Sequence, residues 1–190
     1  MELYTDTYYI KRIQEGDTTA YTCILDKYSR QVYSLAFKVV HNKEDAEELA
    51  QDVFLKVFKH LNGFKGDSSF STWVYRIAYN TAISYTRKKK QEYLAIEEAA
   101  IANVAEEEEE VADALEQTDS DRQMEILDKA LAQLPPDERA MILFFYMEGK
   151  SIDEIASITA FSVSNVKTKL HRIRKKLFVL IKETERIGYE

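Results

Sequence analysis

Six basic side chains crowd one short stretch near the C-terminal end: Lys167, Lys169, Arg172, Arg174, Lys175 and Lys176. At that density ammonium and guanidinium groups neutralise phosphates, and polar side chains beside them can read base edges. At 100° per residue Val163, Val166, Leu170, Ile173 and Leu177 fall within an arc of about 80°, so the helix they imply has one apolar face and is polar elsewhere. Upstream, Ser151 and Glu154 match the S-x-x-E box that opens a helix, Ala156 is small enough for close approach, and Ser162 can cap a second helix after a three-residue turn. A short helix presenting a basic one is the layout of a helix-turn-helix in the major groove. Charge alone fits a merely solvated helix equally well; the order of box, small residue, turn and second helix favours DNA. One position departs: Ala160 stands where such turns often use Gly, and Ala at positive φ costs on the order of 1 kcal/mol.

A second stretch combines flat rings with cations. The loop Phe64-Lys-Gly-Asp-Ser-Ser69 leads into Phe70, Trp73, Tyr75, Arg76, Tyr79, Asn80 and Tyr85, and then into Arg87-Lys88-Lys89-Lys90. Aromatics interleaved with Arg and Lys suit unpaired bases, which need stacking faces and charge along the backbone. An aromatic stripe at helical spacing is equally a core stripe, and some of these rings must be core. Before it, Glu44, Asp45, Glu47, Glu48, Gln51 and Asp52 precede Lys56, Lys59 and His60, an order that also matches a helix dipole.

Catalysis finds no foothold. His41, His60 and His171 are scattered, and neither H-E-x-x-H nor a phosphate-binding glycine loop occurs. The single cysteine, Cys23, lies among apolar neighbours and reads as a core thiol. The expectation is a protein that is not an enzyme and has no cofactor and no metal.

The elements that position these groups follow from breakers and periodicity. Two adjacent prolines, Pro135 and Pro136, and five glycines interrupt long stretches with three-and-four apolar spacing. Tyr21, Ile24, Leu25, Tyr28, Val32, Leu35 and Val39 form one such stripe, after Asp17 as its N-cap. Ala46, Leu49, Val53, Val57 and Leu61 form another after Asn42. Val74, Ile77, Ala78, Thr81 and Ala82 form a third, and Ile126, Leu127, Ala130, Leu131 and Leu134 a fourth. The fold class is all-α.

The net charge of −7 over 190 residues is unevenly spread. Residues 96–121 carry eleven acidic and no basic side chains, while each flank carries a small positive excess. Self-repulsion and little to bury make this middle stretch a linker. The expected organisation is two small helical domains, 5–90 and 122–184, joined by an acidic linker, 91–121. No apolar run approaches the ~18 residues of a membrane span, and the first residues lack a signal-peptide layout, so a soluble, cytoplasmic protein is expected.

The chain as a whole resembles the extracytoplasmic-function sigma factors of bacterial RNA polymerase. Asp45-Ala-Glu-Glu-Leu-Ala-Gln-Asp-Val-Phe54 and Phe64-Lys-Gly-Asp-Ser-Ser-Phe-Ser-Thr-Trp-Val-Tyr-Arg-Ile-Ala-Tyr-Asn80 resemble the family's region two. Leu134-Pro-Pro-Asp-Glu-Arg139, Glu148-Gly-Lys-Ser-Ile-Asp-Glu-Ile-Ala156 and Val166-Lys-Thr-Lys-Leu-His-Arg-Ile-Arg174 resemble region four. The resemblance implies an alternative sigma factor that binds core RNA polymerase and directs promoter recognition and melting. By similarity Asp45, Glu48, Gln51 and Asp52 dock on the polymerase, and Lys65, Ser68, Ser69, Trp73, Arg76 and Asn80 engage the −10 element. Ser162, Ser164, Asn165, Lys167, Thr168, Lys169, His171, Arg172, Arg174 and Lys175 engage the −35 element. An anti-sigma factor is a usual partner in the family. Departures lie in the turn, where Thr159 and Ala160 replace the usual Leu and Gly, and in Tyr79 before Asn80. The rival is a helix-turn-helix regulator that binds operator DNA without polymerase.

Overall fold

The computed structural model describes residues 5–89 and 120–187. Nearly all of the acidic stretch 91–121, and Lys90 of the basic cluster, thus lie outside the described residues. Every described regular element is helical. The N-terminal unit comprises α1 (Asp6–Gln14), α2 (Ala20–Val40), α3 (Lys43–His60), a 3-10 turn (Leu61–Gly63) and α4 (Phe70–Lys89). The C-terminal unit comprises α5 (Ser120–Gln133), α6 (Pro136–Tyr146), α7 (Ile152–Thr159) and α8 (Val163–Ile187).

The helix starts are built by local side chains that satisfy otherwise orphaned N–H groups. Asn42 accepts the Asp45 N–H at 2.9 Å, and Ser69 Oγ accepts the Thr72 N–H at 3.1 Å. Ser151 Oγ accepts the Glu154 N–H at 3.2 Å while the Glu154 carboxylate accepts the Ser151 N–H at 3.0 Å, completing the box. Ser162 Oγ accepts the Asn165 N–H at 3.2 Å. Asp17 is different. Helix α2 begins at Ala20, and Asp17 accepts the Thr19 N–H at 2.9 Å and the Thr19 hydroxyl at 2.6 Å, with Arg12 on its other oxygen. It closes the turn between α1 and α2 instead of capping α2.

The apolar stripes are buried nearly as spaced. Ile24, Val32, Val39, Ala46, Val57 and Val74 are at most 1 % exposed, as are Val166 and Ile173. Val163 is the exception at 37 % exposed, because it sits at the first turn of α8, beyond the reach of the helices that cover the rest of the stripe.

The two units pack on one another, α4 against α7 and α6, and α2 against α6. Arg139 joins them. It is 1 % exposed, and its guanidinium donates to Leu131 O at 2.6 Å, Leu134 O at 2.8 Å, Ala132 O, Val39 O at 2.9 Å and Lys38 O at 3.2 Å. Those carbonyls belong to the last turns of α2 and α5 and the residue just past α5, where intrahelical donors run out and the helix dipole is negative. One buried cation therefore completes two helix ends from different units. Lys38 Nζ reaches Asp128 Oδ1 at 3.3 Å beside it.

A second contact lies along α4. Tyr75 donates to Glu148, its ring meets Phe144 edge-on at 5.6 Å, and the Tyr79 ring lies 6.2 Å from Phe144. Thr72 Oγ1 donates to Glu154 Oε1 at 3.0 Å, and Lys150 Nζ donates to Ser71 Oγ at 2.8 Å and Glu154 Oε1 at 3.1 Å. Burial and the neighbouring Glu148 push the Tyr75 phenol well above its ordinary range. Burial, reinforced by Asp137, pushes Tyr79 up to about 12.

Candidate nucleic-acid interface

The aromatic segment divides between core and surface. Phe70, Tyr75 and Tyr79 are buried; Trp73 is half-buried, packed on Phe64 and Phe70 with ring centroids 5.4 and 5.6 Å away. Arg76 and Asn80, one turn apart on α4, are exposed beside Trp73. In the preceding loop Lys65 and Ser69 are exposed and Ser68 is half-buried. Gly66 sits at φ 81°, with open space where a Cβ would be, so the loop depends on its backbone freedom and not on a close approach. Ser69 carries a structural role as well: its hydroxyl caps α4 and bonds Thr72 Oγ1 at 2.8 Å.

On α8 the outer face begins at the N-terminus. Ser162, Ser164, Asn165, Lys167, Thr168, His171 and Arg172 are exposed, at spacings that align the first two turns on one side. The Thr168 hydroxyl donates back to Ser164 O at 3.1 Å. Cations further round the helix are tied to the protein. Lys169 lies 3.9 Å from Asp137 and 5.0 Å from the Phe161 ring centre, and Arg174 stacks over Phe145 and Tyr146 at 5.3 and 5.7 Å. Lys175 is half-buried, and Lys176 is held by both Glu138 oxygens at 2.7 and 2.9 Å. The structure thus gathers Ser162, Ser164, Asn165, Lys167, Thr168, His171 and Arg172 into one surface, with half-buried Lys169 and Lys175 at its rim, and sets Arg174 on a different footing. The approach to α8 runs through Ala160 at φ 60°, ψ 22°, the left-handed conformation that the short turn demands even without glycine.

On α3, Glu48, Gln51 and Asp52 are exposed and Asp45 is half-buried, its N–H bonded to Asn42. Sequence reasoning missed Leu55, which is 68 % exposed one turn beyond Gln51 and Asp52. An apolar residue in a helix reads as core; only its register, off the Val53–Val57 stripe, distinguishes it. Val163 was placed with the core for the same reason. Its exposed methyls sit among the first polar residues of α8.

Among the described residues no cluster of three metal-ligating side chains occurs. Nor is any described helix long and apolar enough to cross a membrane.

Residues 24–92 match the model of sigma-70 region 2, and residues 124–177 that of sigma-70 region 4. The ECF RNA polymerase sigma factor SigW of Bacillus subtilis is 33 % identical over 172 residues, covering 88 % of this chain and 92 % of the relative. The chain belongs to the ECF sigma factors. It is an alternative sigma factor acting in transcription initiation, and the match to region 2 sets aside the regulator that works without polymerase. Two solved structures share the fold. CnrH in complex with the cytosolic domain of CnrY has a TM-score of 0.66 at 20 % identity, over 94 % of this chain and 97 % of that one. The sigma factor RpoE of Bartonella quintana, in complex with the anti-sigma factor NepR, has a TM-score of 0.63 at 23 % identity, over 85 % and 96 %.

Proposed function

We propose that this sigma factor divides its work among three exposed faces, with region 2 at 5–90, the linker at 91–121 and region 4 at 122–184. The acidic face of α3, Asp45, Glu48, Gln51 and Asp52 with Leu55 as its apolar centre, docks on core RNA polymerase. Lys65, Ser68, Ser69, Arg76, Asn80 and the uncovered part of Trp73 hold the melted −10 element, cations on the backbone and the polar tips on extruded bases. The first turns of α8 read the −35 element in the major groove. There Ser162, Ser164, Asn165 and Thr168 approach base edges, while Lys167, Lys169, His171, Arg172 and Lys175 hold phosphates. Arg174 acts through Phe145 and Tyr146, fixing α6 against α8. The protein works in the cytoplasm without chemistry of its own, and an anti-sigma factor, the partner that the Bartonella quintana structure contains, controls it.

The exposure pattern carries this reading: Arg76 and Asn80 face solvent on a helix whose aromatic and aliphatic side chains are all buried or half-buried. The test is co-elution with core RNA polymerase followed by run-off transcription. A 1:1 complex is expected, lost in Gln51→Ala/Asp52→Ala and weakened at least tenfold in Leu55→Asp. Lys167→Ala/Arg172→Ala should keep the complex, abolish −35-dependent transcription and lower the salt slope of promoter binding by about 2. A wild-type protein that binds promoter duplex but never polymerase overturns the reading.

A further inference from the structure

We infer that α1 is part of the −10 reader: the hydrogen bond between Tyr28 and Asp6 sets, through Phe70, where the ring of Trp73 lies, an inference that rests on the assignment of Trp73 proposed above. Trp73 meets two other rings, Phe64 at 5.4 Å between centroids and Phe70 at 5.6 Å with the planes only 27° apart. Phe64 belongs to the loop before α4, whereas Phe70 is the first residue of α4 itself, so Phe70 is the support tied to the helical frame. Phe70 in turn is held by Phe64 at 5.3 Å and by Tyr28 of α2, edge-on at 5.7 Å. Tyr28 and Phe70 are both buried.

Packing alone would be served by phenylalanine at position 28. The Tyr28 hydroxyl instead crosses to α1 and donates to Asp6 Oδ2 at 2.8 Å, while Asp6 Oδ1 takes the Lys27 ammonium at 2.6 Å. The bond satisfies a buried phenol and fixes the far end of a ring whose near end is fixed by the backbone of α2. Burial and the Asp6 carboxylate push this phenol well above its ordinary range, so it keeps the proton it donates. Helix α1 is a firm anchor. Tyr9, Ile10 and Ile13 are buried, and Arg12 pairs with Asp17 in the turn to α2. Close-packed rings pass on a displacement, because no void between them absorbs it. A base stacked on Trp73 is sensitive to the result, since a gap of about 0.5–1 Å forfeits a quarter to a half of a contact's attraction.

Trp73 is the chain's one tryptophan, so its own fluorescence reads the relay. Tyr28→Phe keeps the ring and removes the bond, Asp6→Ala removes the acceptor, and Asp6→Asn keeps an acceptor oxygen for the phenol. In the protein alone, Tyr28→Phe and Asp6→Ala should each raise acrylamide quenching of Trp73 about twofold, and Asp6→Asn should stay near the wild type. Tyr28→Phe/Asp6→Ala should exceed neither single variant, because the same bond is lost in each. Bound to core polymerase, Tyr28→Phe and Asp6→Ala should hold a single strand carrying the −10 element of the run-off promoter about three- to fivefold more weakly. Their affinities for polymerase and for −35 duplex should not change. Wild-type quenching in both Tyr28→Phe and Asp6→Ala overturns the inference. So does an equal loss of polymerase, −35 duplex and −10 strand binding, which marks a general loosening of the fold. So, too, does wild-type strand affinity in both variants while Trp73→Ala weakens it. Failure of the Trp73 assignment would appear separately, as a Trp73→Ala holoenzyme that binds the −10 strand like the wild type while quenching in Asp6→Ala still rises.

Discussion

Helices α4 and α8, the two that we propose face nucleic acid, are buried in different ways. One flank of α8 packs on α5, α6 and α7, leaving a broad outer face in which the first two turns carry polar and basic groups. Helix α4 is covered by its own unit on one side and by α6 and α7 on another, so only a strip containing Trp73, Arg76 and Asn80 is left. The contrast shows when a hydrophobic pattern can be trusted. A helix with one burial surface displays its function as the complement of its apolar stripe. A helix with two burial surfaces hides it, because Tyr75 and Tyr79 look like base-stacking residues until the second unit is seen to cover them.

The contrast is broken most severely at Arg139. Arg139→Ala leaves carbonyls at the ends of α2 and α5 without donors and should cost about 3 kcal/mol or more in global stability, read by urea denaturation, while α8 alone would be little altered. A milder probe is acid. Burial pushes the Glu154 carboxyl up, but the Ser151 N–H, the Lys150 ammonium and the Thr72 hydroxyl together outweigh it and bring it down to about 2. A carboxyl held below its ordinary value of 4.5 stabilises the fold above that pH, and its contribution disappears as pH falls toward 2. Melting curves over that window should show the loss in the wild type and lack this component in Glu154→Gln. The smallest effect should fall on the approach to α8 alone. Ala160→Gly relieves the left-handed backbone at φ 60° and should raise stability by about 1 kcal/mol without changing the separation of the units.

Much of this was legible in the residues. Asn42, the Ser151–Glu154 box and Ser162 act within three or four positions, so their capping roles follow from spacing, and the strain at Ala160 follows from the turn length. The inner stripes are equally local. What spacing cannot show is contact between distant segments: Tyr75 with Glu148, or Arg139 with Lys38 and Val39, about a hundred residues apart. Leu55 and Val163 escaped for a related reason. Val163 lies on the apolar stripe and Leu55 off it, but no neighbouring helix covers either.

Arg139 also imposes an order on biosynthesis. A ribosome adding about 5–20 residues per second emits the end of α2 some five to twenty seconds before the guanidinium that completes it. Through that interval the carbonyls of Lys38 and Val39 are hydrated, and the flank of α4 bearing Tyr75 and Tyr79 is uncovered. A newborn N-terminal half therefore carries Tyr75 and Tyr79 bare until α6 brings Phe144 onto them and the following loop brings Glu148.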